Sequence, residues 1–230
     1  MSCGCRRARL VILRGEVPEK ETAMFKIIEM GGPLMYPILL CSILFLAILI
    51  ERLYHYHRAR IDTSEFISGI RQVLKRRDIA EAVSLCEETP GPVAHIVQAG
   101  IRKHGRPKEE IKETIGDAAH REIPRLEKNL NVLATVAHVA PLLGLLGTVL
   151  GMIAAFQEIQ RQSGRVNATD LAGGIWEALV TTAAGLSVAI PAYVAYNYLV
   201  SRVGALVLDM ERSATEIVDL LTGEEDKDEI

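Results

Sequence analysis

The chain contains three long apolar runs separated by polar segments. Residues 30–50, 129–157 and 178–201 contain no Asp, Glu, Lys or Arg. Continuous apolar runs of about 18 residues or more are typical of transmembrane helices. Strands of a membrane barrel alternate polar and apolar residues over about 10 positions, so these continuous runs exclude a barrel. The pattern predicts an all-α integral membrane protein with three transmembrane helices.

The ends of the apolar runs divide the chain into seven segments. We expect the second and third transmembrane helices to extend into a cytoplasmic helical domain, because helical periodicity continues beyond both runs. The predicted segments are a leader with a short interfacial segment (1–29), transmembrane helix 1 (30–50), a cytoplasmic helical domain (51–129), transmembrane helix 2 (130–156), a periplasmic connection (157–174), transmembrane helix 3 (175–200), and a cytoplasmic helix with an acidic tail (201–230).

Capping residues predict helices inside the segment 51–129. Thr63 or Ser64 is expected to cap a helix that runs to Arg77, and Asp78 is expected to cap the next one. These residue types accept hydrogen bonds from the free N–H groups of a helix start.

A third helical signal leads into the second apolar run. Pro107 suits the first position of a helix, and acidic residues follow it. The pattern then predicts one continuous helix over 108–156, with Pro124 as a kink, and such a helix would be about 70 Å long.

The distribution of charge predicts the orientation in the membrane. The net charge of −3 is unremarkable, but Arg52, Arg58 and Arg60 directly follow the first apolar run. Cytoplasmic flanks are enriched in Lys and Arg, so we expect a periplasmic N-terminus and a cytoplasmic C-terminus. Five basic residues within 1–23 favour the opposite orientation. Translation from Met24 would remove them, and N-terminal sequencing distinguishes the two starts.

The four cysteines, Cys3, Cys5, Cys41 and Cys86, are too scattered to predict a disulfide framework. Cys3 and Cys5 have the spacing of metal ligands, but no second ligand pair accompanies them. We therefore predict no metal and no cofactor. The chain also contains no catalytic constellation, no phosphate-binding loop and no basic groove, so we expect neither an enzyme nor a nucleic-acid-binding protein.

Small residues recur on one face of each of the last two runs. Small faces let membrane helices approach closely, either within one subunit or between subunits around a shared axis. The candidate packing or pore-lining residues are Pro141, Gly144, Gly147 and Gly151 in the second run, and Gly185, Ala189 and Pro191 in the third.

Glu177 is the most informative residue, because it is the only formal charge between Asp170 and Arg202. A carboxylate inside a bilayer costs about 2.5–3.5 kcal/mol on insertion scales. One interpretation is an interfacial group near the outer end of a helix, where the helix dipole stabilises it. The other is a proton-titrating group that faces a protein interior. Hydroxyls that could order water near it belong to Thr181, Thr182 and Thr148.

The last two apolar runs carry two motif blocks and a shorter motif. The motifs are Pro141-Leu-Leu-Gly144-Leu-Leu-Gly147-Thr148-Val-x-Gly151-Met, Gly174-Ile-x-Glu177-Ala-Leu-x-Thr181-Thr182-Ala-x-Gly185-Leu-x-x-Ala189-Ile-Pro191-Ala, and Tyr196-Asn197. With their three-span spacing, these motifs resemble the ExbB/TolQ/MotA proton-channel family, and in particular its ExbB and TolQ branch. The resemblance covers the chain from about Met30 to Leu221.

This resemblance implies an assembly and a mechanism. Members form homopentamers in the bacterial inner membrane around a dimer of a single-span partner, ExbD or TolR, which carries a membrane Asp. The channel subunit would contribute Glu177, Thr148 and Thr182 near the proton path. Proton flow would then drive a TonB-like or TolA-like transducer, energising TonB-dependent transport or the Tol-Pal envelope system.

Three hypotheses follow, of which the first is a stator subunit of such a proton channel. The second is a structural membrane scaffold in which Glu177 only caps a helix, and Glu177→Gln would separate it from the first. The third, a small-solute transporter, predicts internal repeats, which the sequence lacks. The choice between an ExbB and a TolQ role stays open.

Overall fold

A computed structural model of the chain describes residues 31–59, 62–161 and 168–223. Within these residues all regular structure is helical, as the apolar runs predict. The predicted interfacial segment before residue 30 and the acidic tail from residue 224 lie outside the described residues. The helices are α1 (Met35–Ala59), α2 (Thr63–Lys75), α3 (Ile79–Glu88), α4 (Pro92–Ile101), α5 (Lys108–Glu127), α6 (Leu130–Arg161) and α7 (Ala168–Thr222).

Three segments are long and apolar enough to cross a membrane, in agreement with the three predicted spans. They lie in Met35–Tyr56, Lys108–Arg161 and Ala172–Thr222. Many large apolar side chains on these segments are exposed; Leu142 and Val194, for example, keep 62% and 63% of their surface. Exposed apolar surface on this scale is typical of faces that contact lipid or other chains.

The described chain forms two compact units. Among the described residues, the first consists of 31–40 and 140–187 and the second of 41–139 and 188–223, apart from the gaps at 60–61 and 162–167. In the first unit, the Gly31–Pro33 turn and the start of α1 lie with parts of α6 and α7. Glu177 belongs to this unit.

The second unit has a continuous apolar core. Helices α2 to α5 pack in sequence, each against the next. Gly100 lies so close to the side chains of Ile115 and Ile217 that an added Cβ would come within 2.7 Å of the first. Members of this core that are almost completely buried include Ile70, Ile96, Val97, Ile101, Ile111, Leu133, Leu199, Met210 and Ile217.

One predicted cap is wrong and the other is confirmed. The N-cap of α2 is Asp62 rather than Thr63 or Ser64, and its carboxylate accepts hydrogen bonds from the N–H groups of Ser64 and Glu65, both at 3.2 Å. Aspartate is also a preferred N-cap residue, and Asp62 directly precedes Thr63 and Ser64. It therefore caps the same helix from one position earlier in the chain. Asp78 caps α3 as predicted, accepting from the N–H of Glu81 at 2.9 Å.

The continuous helix predicted over 108–156 is wrong, because the structure breaks it after Glu127. Lys128 lies in a turn outside the helical region, with φ −49° and ψ 137°, and Asn129 has φ 63°. Asparagine tolerates this left-handed conformation better than most residues do. Pro107 also precedes α5 rather than occupying its first position.

Two side chains near the end of α1 donate hydrogen bonds to carbonyl groups at the end of α5, where the helix breaks. The Tyr56 hydroxyl donates to the carbonyl of Leu126 at 2.7 Å, and the guanidinium of Arg52 donates to the carbonyl of Arg125 at 3.3 Å. The last turn of a helix leaves carbonyl oxygens without partners and favours a nearby cation. Arg52 is only 1% exposed, so it serves this helix end rather than solvent.

Candidate functional site

The Gly31–Pro33 turn lies against Glu177 in the first unit. Gly32 has φ +67°, a conformation that favours glycine. A Cβ atom on Gly32 would overlap the carboxylate oxygen Oε1 of Glu177. The carboxyl group therefore occupies the space that any other residue at position 32 would fill with its side chain.

Thr181 connects the same turn to α7. Its hydroxyl lies 2.8 Å from the carbonyl oxygen of Gly31 and 2.8 Å from that of Glu177, one helical turn before it. A hydroxyl carries one hydrogen, so these two carbonyls share a single donor. Thr181 is 1% exposed and Gly31 is also buried, so solvent does not replace this bond.

Glycines bring α6 and α7 together at backbone distance. A Cβ on Gly185 would lie 2.6 Å from the carbonyl oxygen of Ala140, and a Cβ on Gly144 would lie 3.1 Å from the Cα of Thr182. Two of the predicted small residues therefore face each other within one subunit, as close packing of membrane helices requires.

Two further glycines make room beside Glu177. A Cβ on Gly147 would lie 2.5 Å from the methyl carbon of Thr181, and a Cβ on Gly151 would lie 2.8 Å from the Cβ of Ala178. The predicted face of α6 thus fits the part of α7 that carries the carboxylate.

The other two predicted hydroxyls have different partners. Thr182 donates to the carbonyl of Gly144 across the helix pair at 2.8 Å, whereas Thr148 donates to the carbonyl of Leu145 in its own helix at 2.6 Å. Thr182 thus links α6 to α7, and Thr148 forms a local bond of the kind expected for threonine in a membrane helix.

A cavity of about 200 Å³ adjoins the carboxylate. Because a water molecule takes up about 30 Å³ in the liquid, this volume holds several. Glu177 and Thr181 share the cavity, while Thr148 and Thr182 are not among its lining residues. The lining consists of Gly31, Pro33, Leu34, Gly147, Leu150, Gly151, Ala154, Glu177 and Thr181.

The carboxyl group of Glu177 is half-buried and has no ion-pair partner among the described residues. The nearest charged residues of α6 in sequence, Glu158 and Arg161, lie 3.9 Å apart and pair with each other. A partly buried carboxylate without a cation is costly in an apolar environment. It therefore suits a site that water or another chain completes.

The remaining predicted residues lie elsewhere. Pro141 is half-buried in the first unit, whereas Ala189 and Pro191 belong to the second, the former 5% exposed and the latter exposed. The exposed His138 ring places Nδ1 2.6 Å from the carbonyl oxygen of Ala134. Because a carbonyl oxygen only accepts, that nitrogen donates to a carbonyl of its own helix.

Sequence reasoning missed the contribution of Gly31 and Gly32. This part of the chain has the sequence Gly31-Gly32-Pro33. Its two glycines ahead of a proline did signal a tight turn. No local pattern, however, connects this turn to residues about 150 positions later.

Metal ligands do not gather in the part of the chain that the structure describes, where no three His, Cys, Asp or Glu residues form a group able to hold an ion. Cys3 and Cys5 lie outside that part.

Comparisons with known proteins show the family and the fold of the chain. Residues 88–212 match the model of the MotA/TolQ/ExbB proton channel family. An ExbB-like biopolymer transport protein of Synechocystis sp. is 34% identical over 178 residues, which cover 74% of this chain and 68% of that protein. The Tol-Pal system protein TolQ of Haemophilus influenzae is 46% identical over 106 residues, 45% of each chain. The structure of C. jejuni MotAB has a similar fold, with a TM-score of 0.55 and 17% identity over 89% of this chain and 84% of that one.

Proposed function

Because the chain belongs to the MotA/TolQ/ExbB proton channel family, we propose that it is a stator subunit of an inner-membrane proton channel. In this role it couples the proton-motive force to a single-span partner of the ExbD or TolR type. The partner in turn energises TonB-dependent transport or the Tol-Pal envelope system, through a TonB-like or TolA-like transducer.

The observation that carries this proposal is the position of Glu177. It is the only formally charged residue between Asp170 and Arg202. It lies beside a cavity with room for water and has no cation partner among the described residues. A carboxylate retained at such a cost in an apolar segment favours a functional role.

The proposed chemistry is proton exchange at one carboxylate. Glu177 accepts a proton from hydronium in the cavity, which forms an O–H bond and leaves water. The carboxylic acid later releases the proton to an acceptor on the partner. A deeper acid from the partner is needed, because Glu177 is the one carboxylate that this chain supplies within its third predicted span, 175–200.

The three threonines have different supporting roles in this proposal. Thr181 lies with Glu177 at the cavity, where its hydroxyl oxygen accepts a hydrogen bond from water, because its hydrogen is used by the carbonyls of Gly31 and Glu177. Thr182 holds α7 against α6 through the carbonyl of Gly144, and Thr148 lies on α6 along the path.

The proposed assembly is a homopentamer around two copies of the partner. The exposed apolar faces of the long helices supply surface for lipid and for neighbouring subunits. The N-terminus would be periplasmic, and 51–129 and the C-terminus cytoplasmic, as the Lys and Arg residues after the first span favour.

Proton flux into liposomes tests the function. The chain is co-expressed with a single-span protein of the ExbD or TolR type, and the purified complex is weighed by native mass spectrometry and reconstituted. We expect five copies of this chain with two of the partner, and proton uptake that Glu177→Gln abolishes. Glu177→Asp, which keeps a carboxylate, should retain part of the flux.

The alternative is a membrane scaffold that does not conduct protons. In that case Glu177→Gln would leave both assembly and cellular function intact, since an uncharged amide of the same size fills the same space. Glu177 lies inside α7, nine residues after its start, so it does not cap this helix. A chain that captures no partner and forms no oligomer would also contradict the stator role.

The relatives carry both ExbB and TolQ names, so both downstream systems are tested. A strain that lacks its own ExbB and TolQ is complemented with this chain and its partner. Recovery of TonB-dependent uptake assigns the ExbB role, and recovery of envelope integrity assigns the TolQ role.

A further inference from the structure

The carboxyl group of Glu177 is placed by a segment far from it in the sequence. The Gly31–Pro33 turn precedes α1, whereas Glu177 lies in the first third of α7. All of these residues belong to the first compact unit.

Gly32 supplies the space that the carboxyl group occupies. The overlap described above involves Oε1, the flexible end of the Glu177 side chain, rather than the backbone of α7. A methyl group at position 32 would therefore move the carboxyl group and leave the helix in place. The left-handed φ of +67° adds a second reason for glycine there.

Gly31 fixes the turn on α7. Its carbonyl accepts the hydrogen bond of the buried Thr181 hydroxyl at 2.8 Å, four residues after Glu177. The contact at Gly32 and the bond at Gly31 hold successive residues of the turn against successive turns of α7, so the turn cannot slide along the helix without breaking one of them.

The turn also closes one side of the cavity beside the carboxyl group. Gly31 and Pro33 line this cavity together with Glu177 and Thr181. Movement of the turn would change both the position of the carboxyl group and the volume open to water.

We propose that the Gly31–Pro33 turn is a positioning element for Glu177, in which Gly32 sets the place of the carboxyl group and Gly31 anchors the turn through Thr181. This inference rests on the proposed function, because the position of the carboxyl group affects proton flux only if Glu177 exchanges protons. Gly31 and Gly32 do not exchange protons themselves.

The test replaces Gly32 by alanine in the complete complex with its partner. We expect Gly32→Ala to lower proton flux at least about tenfold, because small displacements of a reacting group have large effects on rate. Gly173→Ala is the matched control, since a Cβ at that position of α7 meets nothing within 4 Å. The control should conduct like the unmodified complex.

A spectroscopic readout separates positioning from general damage. The carboxyl stretching band of Glu177, assigned by its loss in Glu177→Gln, reports the surroundings of that group. Gly32→Ala should shift this band, and Gly173→Ala should not. An unshifted band together with unchanged flux in Gly32→Ala would overturn the inference.

Shortening the acidic side chain at position 177 should restore part of the proton flux that Gly32→Ala removes. Aspartate at position 177 withdraws the carboxyl group by one methylene, away from a methyl at position 32. The double variant Gly32→Ala/Glu177→Asp should therefore conduct better than Gly32→Ala alone, and it also serves if Gly32→Ala assembles poorly. A double variant no better than Gly32→Ala counts against the inference.

Failure of the proposed function remains distinguishable from failure of this inference. If Glu177→Gln conducts normally, the proton role of Glu177 is wrong, whatever Gly32→Ala does to the band. If Glu177→Gln is inactive while Gly32→Ala retains both flux and band, only the positioning role is wrong.

Discussion

The hydroxyl of Thr181 lies 2.8 Å from the carbonyl oxygen of Gly31, a residue 150 positions earlier. Both residues are buried. Thr181→Val keeps the shape of the side chain and removes the donor, so we expect a loss of about 1–3 kcal/mol in the free energy of unfolding. Thermal unfolding in detergent measures it.

Thr181→Ser is the matched control, because serine keeps the hydroxyl. It should lose less stability than the valine variant and more nearly retain proton flux. Equal stability of the two variants would show that the hydrogen bond contributes little.

The crossing of α6 and α7 should tolerate no added methyl group at Gly185. A Cβ there would lie 2.6 Å from the carbonyl oxygen of Ala140, which is backbone and cannot rotate away. Gly185→Ala should therefore cost about 1–3 kcal/mol through overpacking and reduce the yield of assembled complex. Size-exclusion chromatography measures that yield, with Gly173→Ala again as control.

The break between α5 and α6 should depend on the hydroxyl of Tyr56. Tyr56→Phe leaves the carbonyl of Leu126 without this donor, so the free energy of unfolding should fall by about 1–3 kcal/mol. Tyr54→Phe is the control, because Tyr54 is 70% exposed. If both variants unfold alike, the hydroxyl of Tyr56 does not stabilise the break.

The thiol of Cys86 should resist alkylation in the folded chain. Burial and the nearby charge of Glu87 raise the pKa of Cys86 to about 12, and the residue is 2% exposed. Maleimide at pH 8 should leave Cys86 unlabelled until the chain is unfolded in denaturant, as peptide mapping by mass spectrometry would show. Rapid labelling of Cys86 without denaturant would contradict its burial.

The raised pKa of Cys86 also predicts how the free energy of unfolding changes at alkaline pH. In the unfolded chain the thiol ionises near its usual pKa of about 8.5, whereas in the folded chain it stays neutral up to about pH 12. The contribution of Cys86 to the free energy of unfolding is thus complete below about pH 8.5 and falls as the pH rises towards 12. Cys86→Ala should unfold with a weaker dependence on pH in this range.

The sequence predicted the helical class and the number of long apolar helices, because both depend on hydropathy over whole windows. Asp78 was also predictable, since a cap acts on the next few residues. The break at Lys128 and Asn129 was not. Neither residue is glycine or proline, and the partners that compensate for the break, Arg52 and Tyr56, come from α1.

The candidate site was predictable only in part, for the same reason. Glu177 stands out as the only formal charge between Asp170 and Arg202, and the glycines of α6 stand out by their spacing. The role of Gly32 depends on a contact with a residue 145 positions away. Periodicity describes one face of one helix and does not predict which distant turn meets it.

The separation of Gly31 and Thr181 also bears on how the protein is made. At roughly 5–20 residues per second, a ribosome adds Thr181 about 8–30 s after Gly31. During that interval the turn at the first span has neither its hydrogen-bond donor nor the carboxyl group that fills the space at Gly32. The site can therefore close only after Thr181 has been added, and truncated chains released before that point cannot form it.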